Sequence, residues 1–323
     1  MAPLVALLVI VAAEGGARVI ESRINPQPHT WGHRDTDVKV SQMQALHHAG
    51  GTDVVFLGSS AMNVAVDPAT FIATSDQVSS AYNAALSSGS PILMERWAKE
   101  VVFPLLNPKV VVIGLTSLAF NDNGHTQEDA YDRYLESPGR ATYLGEASLA
   151  DRIESGAHSW SALLRVRAEL RQPYTLIDKL VEGDQSDQVL SDLGHDTRRM
   201  FTEYAVPARF ESDQRNLVLT DYVLGGRQTA ALRRLIDLAT ERDMEVYLVA
   251  MPVVEADYIP LHPNGTLDHD QYLAAFDGLA EDDLVLTLNA RELLGDVEMF
   301  ADPIHVNGQG ADRFAQWLAG SLT

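Results

Sequence analysis

The chain has 323 residues, a net charge of −21 at neutral pH and no cysteine. The acidic charge argues against nucleic-acid binding, because contact with phosphates needs a basic surface, and it disfavours adhesion to anionic lipid headgroups. The lack of cysteine excludes disulfides, thiol nucleophiles and Cys-ligated zinc. With 46% hydrophobic residues, the chain can bury a sizeable core in one large α/β domain or two smaller ones.

The chain opens with an apolar segment, residues 1–16. Residues 2–13 ("APLVALLVIVAA") carry no charge. This run is shorter than the about 20 apolar residues that span a membrane, and no basic residue precedes it, as a secretory signal would require. One interpretation is a buried first helix. We prefer a membrane anchor whose beginning is missing from this sequence, which predicts an extracytoplasmic protein held at the membrane; a cytoplasmic location stays open.

Residues 17–50 are polar and broken by "NPQPHTWGH", which is typical of a lead-in or linker. Beyond them, residues 53–58 form a continuous apolar run that is typical of a parallel strand covered on both faces. Three further runs also predict strands, and residues 77–83 predict a weaker one. The four runs are residues 53–58 ("DVVFLG"), 109–116 ("KVVVIGLT"), 244–253 ("MEVYLVAMPV") and 284–290 ("LVLTLNA"). Helices are predicted over residues 90–106, 225–243, 269–283 and 310–322.

Strands that alternate with helices predict an α/β domain in which a parallel sheet carries helices on both faces. Between residues 123 and 215 the pattern changes to long, charged helical stretches, which predict a helical insertion within a domain of residues 51–323. In open parallel sheets, ligands bind beyond the carboxyl ends of the strands. The residues that follow the strands are therefore the candidates for chemistry.

Serine, aspartate and histidine occur at such positions. Gly58-Ser59-Ser60 follows the first strand, and Asp302 and His305 lie three residues apart ahead of the final helix. A serine nucleophile needs a base within hydrogen-bonding reach, a group that orients the base, and donors for the oxyanion. Asp302 and His305 could supply the base and its orienting carboxylate from one short segment, since triads are recognised by geometry rather than by chain order. Alone, the Gly-Ser-Ser turn is more typical of a structural turn or an anion-binding helix start.

These motifs resemble the SGNH (GDSL-type) hydrolase superfamily, and within it the membrane-anchored branch that modifies cell-envelope polysaccharides. The similarity covers roughly residues 50–122 and 225–320 and is strongest in "VVFLGSS" and "FADPIHVNGQGADRFAQWLA". The resemblance implies a three-layer, flavodoxin-like α/β/α sandwich, with Ser60 as nucleophile, Asp302 as acid and His305 as base. It also implies ester chemistry without a metal or cofactor, and a multi-spanning membrane acyltransferase as acyl donor or partner.

The first two family motifs depart from the usual pattern at two points. The acidic residue of the family's Gly-Asp-Ser is Ser59 here, which makes Ser59 a second candidate nucleophile beside Ser60. The second motif places an oxyanion-binding backbone N–H at Ser88 or Gly89, to act together with the N–H of Ser60. Only a backbone group is needed there, so a serine can stand in for the glycine.

The third family motif, Gly-x-Asn-Asp, is not intact. Gly114 is present, but Thr116 or Ser117 stands where the asparagine belongs, and the next Asn-Asp begins at Asn121. Thr116, Ser117 and Asn121 are therefore the candidates for the side-chain donor to the oxyanion. Losing one such donor costs on the order of 10²–10³ in rate, so an imperfect third motif predicts a slow enzyme.

The sequence thus predicts a serine-dependent esterase or O-acyltransferase acting on acylated carbohydrate or cell-envelope polysaccharide. The incomplete third motif supports an alternative, a non-catalytic SGNH-like module that binds polysaccharide or scaffolds a membrane assembly. A phosphate-binding flavodoxin-like protein would leave Asp302 and His305 unexplained. His262 and His269 lie near carboxylates but do not predict a metal site, because no third fixed ligand accompanies them.

Overall fold

The computed structural model describes residues 11–21, 30–32, 34–149, 160–166, 170, 180, 190–280 and 285–322. By contacts within the chain it divides into two units. The first comprises Met1–Asp37 and Arg133–Gln188; the second, here called the sheet unit, comprises Val38–Asp132 and Val189–Thr323. All residues predicted to take part in catalysis lie in the sheet unit.

Five parallel strands form the centre of the sheet unit. In chain order they are β1 (Val54–Gly58), β2 (Ala81–Asn83), β3 (Val110–Leu115), β4 (Glu245–Ala250) and β5 (Val285–Asn289). They lie in the order β2-β1-β3-β4-β5, and every neighbouring pair is parallel. All five strand predictions are confirmed, the weakest as a strand of three residues. This is the flavodoxin-like order, in which the winding reverses between β1 and β3 and leaves a crevice at their carboxyl ends.

Helices alternate with the strands, and a short antiparallel hairpin of β6 (Phe300–Asp302) and β7 (His305–Val306) precedes the last helix. Residues 11–21 are helical. The remaining α-helices of the described residues are α1 (Arg34–His48), α2 (Ser60–Ala65), α3 (Pro68–Thr74), α4 (Pro91–Trp97), α5 (Phe103–Leu106), α6 (His125–Leu135), α7 (Pro138–Tyr143), α8 (Ala162–Arg165), α9 (Phe210–Asp213), α10 (Arg227–Thr240), α11 (Glu255–Tyr258), α12 (Thr266–Asp277) and α13 (Gly308–Ser321).

Helices cover both faces of the sheet. One face, which includes Phe56, Val112 and Val249, packs against α2, α3 and α13. Alternate residues of a strand point to the opposite face, and there α4 and α10 pack against each other and against β1 and β4. The predicted three-layer α/β/α architecture is confirmed. The inner strands β1, β3 and β4 are continuous apolar runs because both of their faces are covered. The edge strand β5 is partly exposed, with Leu286 46% exposed.

The polar lead-in differs from the prediction, because residues 38–48 belong to the sheet unit and form most of α1. The physical reason is Lys39, whose side chain is completely buried. Its ammonium donates hydrogen bonds to the Asn63 side chain (2.9 Å), the Asn83 carbonyl (2.6 Å) and the Gly194 carbonyl (2.8 Å). A buried charge must be matched by polar partners, and here they come from three separate parts of the chain. Gly194 also shows that the predicted insertion returns to the sheet unit before residue 215.

In the first unit, Glu14 accepts hydrogen bonds from the Ala162 N–H and the Ser161 hydroxyl at the start of α8, both at 2.8 Å. These bonds, led by the one from Ala162, lower the pKa of Glu14 to about 2. Among the described residues, no helix is both long enough and apolar enough to cross a bilayer. Most of the predicted apolar segment, residues 1–10, lies outside the described residues. So do residues 150–159, 167–169, 171–179 and 181–189 of the predicted insertion.

Candidate active site

The turn that carries the candidate nucleophile depends on a glycine. β1 ends at Gly58, where an added Cβ would lie 2.5 Å from Cβ of Met62 and 2.9 Å from the carbonyl oxygen of Gly114. No side chain fits at such distances, so α2 can begin directly above the strand end only because residue 58 is glycine. Ser59 is the N-cap of α2, and Ser60 is its first residue. Ser60 is thereby fixed, half-buried, at the carboxyl end of an inner strand.

Ser60, His305 and Asp302 form one continuous chain of hydrogen bonds. His305 Nε2 lies 2.8 Å from Ser60 Oγ, and His305 Nδ1 lies 2.9 Å from both carboxylate oxygens of Asp302. Because an ionised carboxylate can only accept, Nδ1 carries the ring proton and Nε2 is the acceptor for the serine hydroxyl. The structure thus brings together the three residues that the sequence proposed. His305 bonds to Ser60, whereas Ser59 occupies the N-cap position of α2.

The Asp302 carboxylate is buried and heavily hydrogen-bonded. Oδ1 accepts from the backbone N–H groups of Ile304 and His305, both at 3.0 Å, and Oδ2 accepts from the Arg199 guanidinium. Burial raises the pKa of Asp302, but the His305 hydrogen bond and the charges of His305 and Arg199 outweigh burial and hold that pKa below its ordinary value. The carboxylate is therefore ionised at neutral pH and can stabilise a protonated imidazole.

Arg199 is the site residue that sequence reasoning missed. It lies 103 positions before Asp302, in a stretch assigned to the helical insertion, and its neighbours form no recognisable motif. A charge contact between residues this far apart leaves no periodic or spacing signal. Only the fold of residues 190–205 beside the β6–β7 hairpin reveals it.

Two backbone N–H groups are available to an oxyanion. Ser60 lies in the first turn of α2, where a backbone N–H has no intrahelical acceptor. Gly89 donates its N–H to the Leu86 carbonyl (2.9 Å), so that group is already used. The N–H of Ser88 has no acceptor within the described part of the chain. Of the two residues left open by the second motif, the hydrogen bonds favour Ser88 over Gly89.

Ser88 itself has an unusual backbone conformation, with φ of 59°. This left-handed region costs a non-glycine residue roughly 1–2 kcal/mol, and such conformations cluster at functional sites. The next residue, Gly89, packs so closely that an added Cβ would lie 2.7 Å from the Gly58 carbonyl oxygen. The Ser88–Gly89 pair is therefore held against the strand end that leads to Ser60.

Thr116 occupies the place that the sheet register gives to the third motif. Gly58 and Gly114 are direct partners in the β1–β3 pairing, and Ser60 and Thr116 each lie two residues further along. The Thr116 hydroxyl is buried near Tyr258, but among the described residues it forms no well-aligned hydrogen bond. It is thus the one candidate side chain of the third motif whose donor is not already committed.

The other two side-chain candidates, Ser117 and Asn121, have different partners. Ser117 Oγ is fully buried and lies 2.6 Å from the Tyr258 hydroxyl and 2.7 Å from His262 Nε2. The Asn121 amide donates to the carbonyls of Val218 (2.7 Å) and Thr220 (3.1 Å) and so fastens that segment to the end of β3. Both NH₂ donors of Asn121 are used, so an oxyanion role for either side chain does not fit these contacts.

His262 and His269, considered for metal binding, lie together in a buried aromatic cluster with ring centroids 5.8 Å apart. His262 is occupied by Ser117 and by the Ile259 carbonyl, and the ring nitrogens of His269 have no hydrogen-bond partner among the described residues. No group of three or more His, Asp or Glu side chains suited to a metal occurs in the ranges that the structure describes.

Comparison with protein-family models and with curated proteins finds no match to this chain. Among solved structures, a GDSL-like lipase from Bacteroides thetaiotaomicron is 11% identical, with a TM-score of 0.41, over 88% of this chain and 97% of the lipase. A candidate acylhydrolase from Bacteroides fragilis is 10% identical, also with a TM-score of 0.41, over 88% and 95% of the two chains. The lipase Lip_vut3 from a goat rumen metagenome is 9% identical, with a TM-score of 0.37, over 84% and 98%. Similarity at this level says nothing of activity, and the likeness to SGNH hydrolases remains one of sequence motifs on a confirmed α/β/α fold.

Proposed function

We propose that this protein is a serine-dependent esterase or O-acyltransferase of the SGNH type. The observation that carries the proposal is the continuous chain from Ser60 Oγ through the His305 ring to the Asp302 carboxylate, with contacts of 2.8 and 2.9 Å. A nucleophile, a base in the required tautomer and a buried ionised carboxylate are the parts that acyl transfer needs.

In the proposed reaction, Ser60 Oγ bonds to the carbonyl carbon of an ester while His305 Nε2 takes the serine proton. Asp302 holds the ring and stabilises its positive charge. The oxyanion is stabilised by the N–H groups of Ser60 and Ser88 and by the Thr116 hydroxyl. When the tetrahedral intermediate collapses, the leaving alcohol departs with the proton from His305. Water or a sugar hydroxyl then attacks the acyl-serine by the same route and regenerates the free hydroxyl of Ser60.

We propose acylated carbohydrate or cell-envelope polysaccharide as the substrate class, with a membrane acyltransferase as the partner that supplies the acyl group. The support is the resemblance of the Gly-Ser-Ser turn and the Asp302–His305 segment to the anchored branch of the superfamily. The apolar run of residues 2–13 supports an extracytoplasmic position at the membrane. Release of acetate from acetylated xylan, measured against an unacetylated control, tests the substrate class.

A fluorophosphonate probe tests the nucleophile directly, because it forms a stable adduct only with an activated serine. We expect the wild-type chain, Ser59→Ala and Ser117→Ala to be labelled and Ser60→Ala to remain unlabelled. Labelling that persists in Ser60→Ala but is lost in Ser59→Ala would move the nucleophile by one residue. A wild-type chain that binds glycans but takes no label and releases no acetate would establish the non-catalytic binding module.

A further inference from the structure

The carboxylate that orients His305 carries a second cationic partner, Arg199. The guanidinium donates to Asp302 Oδ2, the same oxygen that lies 2.9 Å from His305 Nδ1. The Asp302 side chain is 3% exposed and the Arg199 side chain 36% exposed. With the His305 side chain 9% exposed, Arg199 is the more solvent-exposed of the two partners of the carboxylate.

The backbone around Arg199 holds this contact in place. The Met200 carbonyl accepts the N–H of Gly308 (3.0 Å), and the N–H of Ala205 donates to the Ala301 carbonyl (3.1 Å). An added Cβ at Gly308 would lie 2.7 Å from the Met200 carbonyl oxygen, so the two segments touch closely. Residues 200–205 are thus hydrogen-bonded to β6, the first strand of the hairpin, and to the start of α13, the helix that follows the hairpin.

The charge of Arg199 has a definite effect on the base. When His305 takes the Ser60 proton, the new imidazolium is stabilised by the negative charge of Asp302 and opposed by the positive charge of Arg199. A carboxylate that is already paired with a guanidinium stabilises a neighbouring imidazolium less than a carboxylate without such a partner. Removal of the Arg199 charge should therefore strengthen the stabilisation of the imidazolium by Asp302.

We propose that Arg199 is a positioning residue that holds the Asp302 carboxylate and offsets part of the stabilisation that this carboxylate gives to the protonated ring of His305. This rests on the proposed esterase function. The inference adds a residue, and a direction of pH dependence, that the triad alone does not contain. The guanidinium is partly solvated, so water screens its charge. We therefore expect removal of that charge to move the acid limb of the pH–rate profile by about 0.5–1 pH unit rather than by several.

The segments packed around the hairpin carry further charged and polar groups. Tyr204 donates a hydrogen bond to Asp257 of α11. Burial, followed by this hydrogen bond and the charges of Asp257 and Asp302, raises the pKa of Tyr204. Arg198 is paired with Asp196 through its Nε at 3.0 Å. From α2, the polar group at the ring is the Ser60 hydroxyl. On α13, Asp312 lies near Thr70, 3.5 Å from its hydroxyl.

The test is the rate of fluorophosphonate labelling of Ser60 as a function of pH, from about pH 5 to about pH 9, whose acid limb reports protonation of the catalytic base. In Arg199→Gln, which retains an N–H donor but no charge, we expect the midpoint of that limb to rise by about 0.5–1 pH unit, with little loss of rate at high pH. In Arg199→Lys, which retains the charge, the midpoint should stay near that of the wild type. Arg198→Gln is the matched control, because it removes a neighbouring guanidinium that pairs with Asp196 instead.

The outcomes separate this inference from the function on which it rests. No labelling of the folded wild-type chain at any pH contradicts the esterase proposal itself. Normal labelling with the same midpoint in Arg199→Gln and wild type overturns the role of Arg199, as does an equal shift in Arg198→Gln. A uniform loss of rate in both Arg199 variants, without a shift in midpoint, would reduce Arg199 to a structural contact. Thermal unfolding of each variant checks that it is folded.

Discussion

The sheet unit contains two serine–histidine pairs with nearly the same geometry and very different surroundings. Ser60 Oγ lies 2.8 Å from His305 Nε2, and Ser117 Oγ lies 2.7 Å from His262 Nε2. At the first pair, the other ring nitrogen of the histidine faces a carboxylate. At the second, His262 Nδ1 donates to the Ile259 carbonyl (3.1 Å), so the serine hydroxyl again donates to Nε2.

The difference lies in what surrounds each hydrogen bond. Ser60 is half-buried and begins a helix. Within the described ranges, the backbone N–H groups of Ser60 and Ser88 have no acceptor, and the buried Asp302 carboxylate contacts the far nitrogen of His305. Ser117 is fully buried, its oxygen also accepts from Tyr258, and burial lowers the pKa of His262 so that this ring stays neutral. A serine–histidine distance alone does not define a nucleophile. Access, an oxyanion site and a carboxylate to hold the imidazolium define it.

The largest expected effect separates the two histidines. His305→Gln should lower kcat/KM for p-nitrophenyl acetate by about 10⁴ or more, because the base and its orientation are lost together. His262→Gln should keep kcat/KM within about threefold of wild type. Its free energy of unfolding should be about 1–3 kcal/mol lower, because buried hydrogen bonds are lost.

Kinetics and urea unfolding of both variants provide the check. An inactive His262→Gln that unfolds like the wild type would show that the Ser117–His262 pair takes part in catalysis, as the Ser60–His305 pair is expected to do. An active His305→Gln would contradict the triad.

A smaller effect distinguishes the adjacent residues Thr116 and Ser117. Thr116→Val keeps the shape of the side chain but removes the proposed oxyanion donor, and we expect kcat to fall by about 10- to 100-fold with KM little changed. Ser117→Ala should instead leave kcat near that of wild type and lower stability by about 1–3 kcal/mol, since Tyr258 and His262 lose a shared partner. Steady-state kinetics of the two variants decide the matter; equal kcat values in Thr116→Val and wild type would rule out the hydroxyl as the donor.

The smallest effect concerns pH and the buried cluster around the second pair. Burial, followed by the charge of Arg291, lowers the pKa of His269 to about 4. The unfolded chain protonates this residue near pH 6.5, so unfolding takes up a proton between about pH 6.5 and 4, and stability falls as the pH drops through that window. His269→Phe removes this contribution, so the decrease in the free energy of unfolding on acidification should be about 1–2 kcal/mol smaller than in the wild type. Urea unfolding at about pH 7 and about pH 4.5 measures the difference; an equally steep loss in His269→Phe would show that His269 does not contribute.

Much of the fold could be predicted from local patterns. Strands β1, β3 and β4 follow from apolar runs that reflect coverage on both faces. β5 has a similar apolar pattern, although it is an edge strand in which Leu286 is exposed. The sequence does not predict that residues 38–48 join the sheet unit, because a lysine in a polar segment is typical of the surface. Lys39 can be buried because its ammonium donates hydrogen bonds to oxygens of Asn63, Asn83 and Gly194. The sequence also does not decide among the candidate oxyanion donors, since the choice depends on which of their N–H and hydroxyl groups are hydrogen-bonded to other residues in the fold.

The sequence by itself determined the strand–helix alternation, the position of Ser60 after a buried strand and the pairing of Asp302 with His305 across three residues. These are short-range features, fixed by periodicity, by a glycine at a tight turn and by local spacing. The tertiary structure decided which hydroxyl His305 contacts and which backbone N–H remained free, and it placed Arg199 against Asp302. Such facts depend on contacts between residues that are far apart in the chain, and only the completed packing of the sheet unit brings those residues together.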